Sequence, residues 1–296
     1  MQPLVAATTD PGGEVEGRPK ADGAPEGAAS VGNILQALRD LQAASVPSTP
    51  EDLDDVGVVG GTVGGGLPGQ PGTAGLLEYL DPRWAVRLAT LYLMKDRAGT
   101  VGWFGISLLL RAMLGRSAAP MHLVGHSYGG KVMLSALANG PLTRNVQSLL
   151  LLQPAVSHLC FADHVPGRDG PGGYRDVLAR VEGLIFSTYS ARDFPLHTIY
   201  HHALVRRADL AELAVAAAVT EAGNPPSAYA ALGGYGPRGA GELLTEPIPK
   251  PGEPVPGWVA GKRLVGFDGS HSRRIDGHGD VANEYTAGLL RRQMDA

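Results

Sequence analysis

Cysteine is nearly absent from the chain: Cys160 is the one thiol in 296 residues. An internal disulfide is therefore impossible, and a reducing compartment is the expectation. Its neighbours Leu159 and Phe161 make it read as a buried structural thiol rather than a reactive one. Charge of one sign is also scarce, with 25 Lys and Arg against 29 Asp and Glu, a net −4. Acids and bases are interspersed, so there is no electrostatic footprint for a phosphate backbone or an anionic membrane surface, and nucleic acid is not an expected partner. No continuous apolar run approaches the ~18 residues of a membrane span. Leu4-Val5-Ala6-Ala7 has no Lys or Arg before it and is too short for the apolar part of a signal peptide. A soluble, cytoplasmic protein with no membrane span is the expectation, and its oligomeric state is left open.

What the sequence has in excess is glycine and proline, 42 and 23 residues, and the excess is uneven. Residues 1–30 are rich in Gly, Pro, Ala and acid and hold too few large apolar side chains to offset the entropy of ordering. Val31–Ala44 places Ile34, Leu35, Leu38 and Leu41 at helical spacing. Ser45–Gly75 returns to Pro, Gly and acid, including Gly60-Gly61 and Gly64-Gly65-Gly66. Residues 1–75 are thus expected to be tail and linker with one helix, and 76–296 a single α/β domain. In that domain short apolar runs alternate with longer helical patterns, the signature of a mainly parallel sheet flanked by helices. The expected strands are Val86–Met94, Met121–Gly125, Val146–Gln153, Leu184–Tyr189 and Leu264–Phe267. The expected helices are Val101–Leu114, Gly129–Ala138, Thr198–Ala217 and Val281–Met294, with Ala222–Pro256 a long loop.

One stretch carries chemistry. Met121-His122-Leu123-Val124 leads into Gly125-His126-Ser127-Tyr128-Gly129-Gly130 and then a helical pattern from Lys131. Strand, tight turn, helix is the context that a G-x-S-x-G nucleophile elbow requires, and without that context the bare pattern is weak at this glycine content. Side chains at Gly125 and Gly129 are expected to collide with the neighbouring strand and helix. The N–H of Tyr128, opening the helix, would face a developing oxyanion. The same residues fit a phosphate-binding loop up to Lys131, but the next residue is Val132. Valine offers no hydroxyl for Mg²⁺, and Val146–Leu152 ends in Gln153 rather than an aspartate.

A serine hydroxyl needs a histidine to take its proton and a carboxylate to orient that histidine. In this topology both follow the serine, acid first. Asp193 lies in the loop Ser190-Ala191-Arg192-Asp193-Phe194 at the carboxyl end of an expected strand; its alternatives are a loop cap or a partner for Arg192. His278, in Asp276-Gly277-His278-Gly279-Asp280 ahead of the last helix, is the expected base, with His271 the competitor. Asp280 reads as a first-turn acid or N-cap of that helix. Two other patterns are set aside: His197, His201 and His202 have helical spacing but no Glu and no third ligand, and Gly234-x-Gly236-x-x-Gly239 is interrupted by Pro237 with no strand leading in. No cofactor or metal is expected.

Strand-Gly125-His126-Ser127-Tyr128-Gly129-Gly130-helix, Asp193 after a strand and His278 before a final helix together resemble the α/β-hydrolase superfamily. Met94-Lys95-Asp96-Arg97-Ala98-Gly99 and Leu152-Gln153-Pro154-Ala155 are similar to uncharacterised bacterial members of it. The resemblance covers about residues 85–294. It implies that Ser127, Asp193 and His278 are nucleophile, acid and base of an esterase-like or lipase-like enzyme, with a small acyl compound as substrate. The departure is at the amino terminus, where the superfamily's early strands and its second oxyanion donor have no counterpart. Losing such a donor costs about 2.7–4 kcal/mol of transition-state stabilisation. Reduced activity, or a catalytically impaired protein kept for binding or regulation, is the alternative expectation.

Overall fold

The computed structural model describes residues 94–95, 97–166, 170–200, 230–245, 247–255 and 263–295. The expected helix over Val31–Ala44, nearly all of the strand over Val86–Met94 and most of the helix over Thr198–Ala217 lie outside the described residues. Met94 itself is helical.

The first element is helix α1, Arg97–Arg116, wound as a π-helix over Val101–Ile106 and as an α-helix over Ser107–Arg116. Strand β1 (His122–His126) turns at Ser127 into α2 (Tyr128–Ala138). β2 (Ser148–Leu152), a 3₁₀ segment (Arg175–Arg180) and β3 (Ile185–Tyr189) follow. A short π-helical segment, Pro195–Ile199, leaves the loop after β3. Then come one helical turn α3 (Leu232–Tyr235), a three-residue strand β4 (Leu243–Thr245), β5 (Leu264–Asp268) and the last helix α4 (Glu284–Met294).

The five strands form one sheet in the order β1-β2-β3-β5-β4, and every pairing is parallel. A parallel sheet must bury both faces, so its strands read as continuous apolar runs rather than alternating ones. Ser148-Leu149-Leu150-Leu151-Leu152 is buried throughout and divides its leucines between two cores. Leu149 and Leu151 join Leu110, Leu114, Leu134 and Leu137 from α1 and α2 on one face. Leu150 and Leu152 join Phe186, Phe267 and Leu289, the last from α4, on the other. The rings of Phe186 and Phe267 meet edge to face at 4.9 Å, which ties β3 to β5. The result is a three-layer α/β unit.

The expected strands from Met121 onward are all present within a few residues. One expectation is corrected. The stretch Ala222–Pro256, expected to be loop, contains α3 and β4. β4 has only three residues and pairs on one side alone, too little for a period to register. Among the described residues one helix, α1, is long and apolar enough on average to cross a membrane, with a third of its most apolar window buried. Its arginines break any continuous apolar run without offsetting that average.

Candidate functional site

The carboxyl ends of β1, β3 and β5 lie along one edge of the sheet, because parallel strands all point the same way. Each delivers one loop there. β1 delivers Ser127, whose backbone (φ 53°, ψ −126°) lies outside the regions a non-glycine residue prefers. The conformation is held from three directions. The Ser127 N–H donates to the Leu152 carbonyl at 3.1 Å, and the Ser127 carbonyl accepts from Gly130 N–H at 3.0 Å and Ala155 N–H at 3.1 Å. Such a turn projects the side chain off the sheet edge instead of burying it.

Two of the glycines that follow the pattern have steric roles, and one does not. A Cβ on Gly125 would lie 2.7 Å from the carbonyl oxygen of Gly129 and 2.7 Å from the nitrogen of Gly130. One on Gly130 would lie 3.0 Å from the Pro154 side chain, whereas one on Gly129 would meet nothing within 4 Å. The expectation of a collision at Gly129 is therefore corrected: α2 approaches β1 through Gly130.

β3 delivers Asp193, which is fully buried. Its Oδ1 accepts from Leu196 N–H at 3.0 Å, and its Oδ2 accepts from Gln153 Nε2 at 2.7 Å. The loop after β5 delivers His278, 6 % exposed. His278 Nδ1 lies 2.8 Å from Asp193 Oδ2, and His278 Nε2 lies 2.8 Å from Ser127 Oγ. With the carboxylate ionised, Nδ1–H is the donor toward Asp193, which leaves Nε2 to accept from the serine hydroxyl. All three expected residues thus meet in one hydrogen-bonded chain, although His278 stands 85 positions from Asp193 and 151 from Ser127.

The alternatives resolve geometrically. His271 is exposed and stands 3.9 Å from Asp268, whereas His278 is the histidine that reaches Ser127 and Asp193. Arg192 reaches Asp276 at 3.4 Å rather than Asp193. The loop-cap role proposed for Asp193 is real, but it uses the other carboxylate oxygen. Asp280 is not the N-cap of α4. That position belongs to Asn283, whose side chain accepts from Tyr285 and Thr286 N–H while Thr286 Oγ1 accepts from Asn283 N–H, a reciprocal capping box. Asp280 Oδ2 instead accepts from Asp276 N–H at 2.9 Å, closing the turn that carries His278.

Further residues support the three: His126 belongs to the G-x-S-x-G motif, whereas Ser190 and Ser270 carry no motif. His126 Nε2 lies 2.9 Å from the His278 carbonyl, and the two rings are 4.9 Å apart. Ser190 Oγ donates to the Ile275 carbonyl at 2.9 Å, and Ser270 Oγ accepts from Ala191 N–H at 2.7 Å, so the acid loop and the histidine loop are sewn together. Only their location near strand ends could have marked the two serines. Tyr128, the first residue of α2, faces Tyr200 at 6.3 Å between ring centres and packs against Ala155, Leu196 and Ala231. Ahead of β1 the described residues are helix and a short linker.

Of the features set aside, His197 lies beside the acid loop, where its N–H donates to the Asp193 carbonyl at 2.7 Å. His197 stacks on Tyr235 at 4.3 Å; His201 and His202 lie outside the described residues. Among the described residues no three His, Cys, Asp or Glu gather as a metal site would require. Gly236 and Gly239 have positive φ and form the turn into β4. Cys160 is buried. Compared with protein-family models, curated proteins and solved structures, the chain matches none.

Proposed function

We propose that the chain is a serine hydrolase with an α/β-hydrolase-like fold, acting on an ester or related acyl substrate. Ser127 is its nucleophile, His278 its general base and Asp193 the acid that orients the base. The observation that carries the reading is the unbroken relay Ser127 Oγ, His278 Nε2, His278 Nδ1, Asp193 Oδ2, with both contacts at 2.8 Å. Hydrogen-bond reach at both steps is what proton removal from a serine demands. Burial of the carboxylate supports it further, since a fully buried Asp that accepts three N–H groups holds a single orientation.

The chemistry follows from the atoms. As Ser127 Oγ attacks the acyl carbon its proton passes to His278 Nε2, and the imidazolium so formed lies against the Asp193 carboxylate. The carbonyl oxygen becomes an oxyanion, for which the N–H of Tyr128, at the positive end of α2, is the donor. His278 then gives its proton to the leaving alcohol. A water, deprotonated by the same nitrogen, releases the acid from the acyl-enzyme and restores the serine.

A fluorophosphonate probe reads the proposal directly. The wild-type chain is expected to be labelled, Ser127→Ala not at all, and His278→Ala and Asp193→Asn at least about a hundredfold more slowly, as triad members act as a unit. Labelling of Ser127→Ala at the wild-type rate would end the reading. Absence of labelling in every variant, wild type included, would favour an impaired relative that retains the arrangement for binding.

A further inference from the structure

We infer that Gln153 is a positioning residue of the same site, holding the Asp193 carboxylate and the His278 turn in one register; the inference rests on the hydrolase reading for its kinetic consequences only. Gln153 follows β2 directly and is fully buried. Its Nε2 donates to Asp193 Oδ2 at 2.7 Å, the same oxygen that faces His278 Nδ1. The same nitrogen donates to the Gly277 carbonyl at 3.0 Å, in the residue immediately before the histidine. One amide group therefore spans the acid and the base from behind, using both of its N–H bonds. The carboxylate cannot rotate about its Cβ–Cγ bond without breaking the Gln153 contact on one oxygen and the Leu196 contact on the other.

The backbone shows that the side chain, not the turn, determines the choice of residue. Gln153 has φ 41°, where Gly or Asn is cheaper than Gln. The position is also clamped, with Gln153 N–H donating to Thr188 Oγ1 at 3.0 Å and Gly233 packed so closely that a Cβ there would come within 2.5 Å of Gln153 carbonyl carbon. Asparagine would suit the backbone but fall one methylene short of Asp193. A residue retained against backbone preference, and reaching two elements of the relay, is placed by its amide. Gln153 is fully buried, and its hydrogen bonds reach Thr188, Asp193 and Gly277 rather than Ser127, so it acts through Asp193 and His278.

The test uses the full chain with Gln153→Met, which keeps length and volume without the donors, and Gln153→Asn, which relieves the backbone but loses the reach. Fluorophosphonate labelling, turnover of p-nitrophenyl acetate and the downfield proton resonance of His278 Nδ1–H are measured beside wild type and Ser127→Ala. Both variants are expected to label about tenfold more slowly, the loss of one bond to a charged group. Both should lose kcat with KM unchanged, and shift or broaden the Nδ1–H resonance. A residue that merely served the turn would give Gln153→Asn the wild-type rate or better, and that result overturns the inference. Should Gln153→Met fail to fold, Gln153→Asn alone decides between these outcomes. Wild-type labelling that does not depend on Ser127 would instead sink the hydrolase reading, and the resonance, which needs no turnover, would still judge Gln153.

Discussion

The elbow is a place where single atoms decide. Ser127 is held in a backbone conformation with φ 53°, and such strain costs on the order of 1–3 kcal/mol that the surrounding hydrogen bonds must offset. Ser127→Gly should relieve that cost and Ser127→Ala should not. In denaturant unfolding the glycine variant is expected to be about 1 kcal/mol more stable than the alanine variant, though glycine's freer unfolded chain works against it; equal stability would mean the turn is unstrained. The flanking glycines separate in the same way. Gly125→Ala drives a Cβ to 2.7 Å from backbone atoms of Gly129 and Gly130, with no flexible side chain to give way, and is expected to cost at least about 2 kcal/mol. Gly129→Ala meets nothing and stands in the first turn of α2, so thermal unfolding should show it neutral or up to about 1 kcal/mol more stable. The G-x-S-x-G pattern was therefore legible as a turn, but not which of its glycines matter. That depends on where α2 crosses β1, a tertiary distance with no trace in local sequence.

At the level of elements, what the sequence declared was the apolar run and the helical period, and what it hid were short or capped pieces. β2 was visible because Leu149-Leu150-Leu151-Leu152 can serve two buried faces only in the middle of a parallel sheet. β4 was not, because Leu243-Leu244-Thr245 is shorter than any period and owes its strand conformation to β5 alone. The start of α4 was placed at Val281 from its apolar pattern, yet the helix begins at Glu284 behind Asn283. Capping chemistry outranks periodicity at a helix end, since three residues of favourable pattern cannot replace satisfied N–H groups. Asn283 also donates through Nδ2 to the carbonyls of Arg274 and Asp280 at 3.0 Å each, so it pins the turn that holds His278. Asn283→Ala is expected to lower stability by about 1–2 kcal/mol. Asp280→Ala, whose carboxylate bonds to Asp276 N–H at an exposed position, should cost less than half of that in the same unfolding experiment. The reverse order would restore Asp280 as the cap.

For the molecule as a whole, the relay was foreseeable from chain order because parallel strands send every carboxyl end to one edge, so a serine, an aspartate and a histidine at three strand ends converge without further information. The service of Gln153, Ser190 and Ser270 was not, and of His126 only its place in the motif was, because a residue's service to a distant loop carries no local signal. In α1 an average hydropathy covers two faces that differ in burial. Helix Arg97–Arg116 has the hydropathy of a membrane span, yet it has two distinct sides. Leu110 and Leu114 are 4 % and 3 % exposed in the core, while Leu108 and Leu109 are 62 % and 56 % exposed. Gly102 sits so close to α2 that a Cβ there would lie 2.3 Å from the Val132 carbonyl oxygen and 2.8 Å from Ser135 Cβ. A helix in backbone contact with α2 along one side is part of the α/β core, and its average hydropathy sums a buried face with an exposed one. Leu110→Ala should therefore cost about 2–5 kcal/mol, whereas Leu108→Gln combined with Leu109→Gln should change unfolding stability by no more than about 0.5 kcal/mol while reducing self-association on dilution-series light scattering. Equal destabilisation by both changes would mean that the outer face of α1 is covered in the native state.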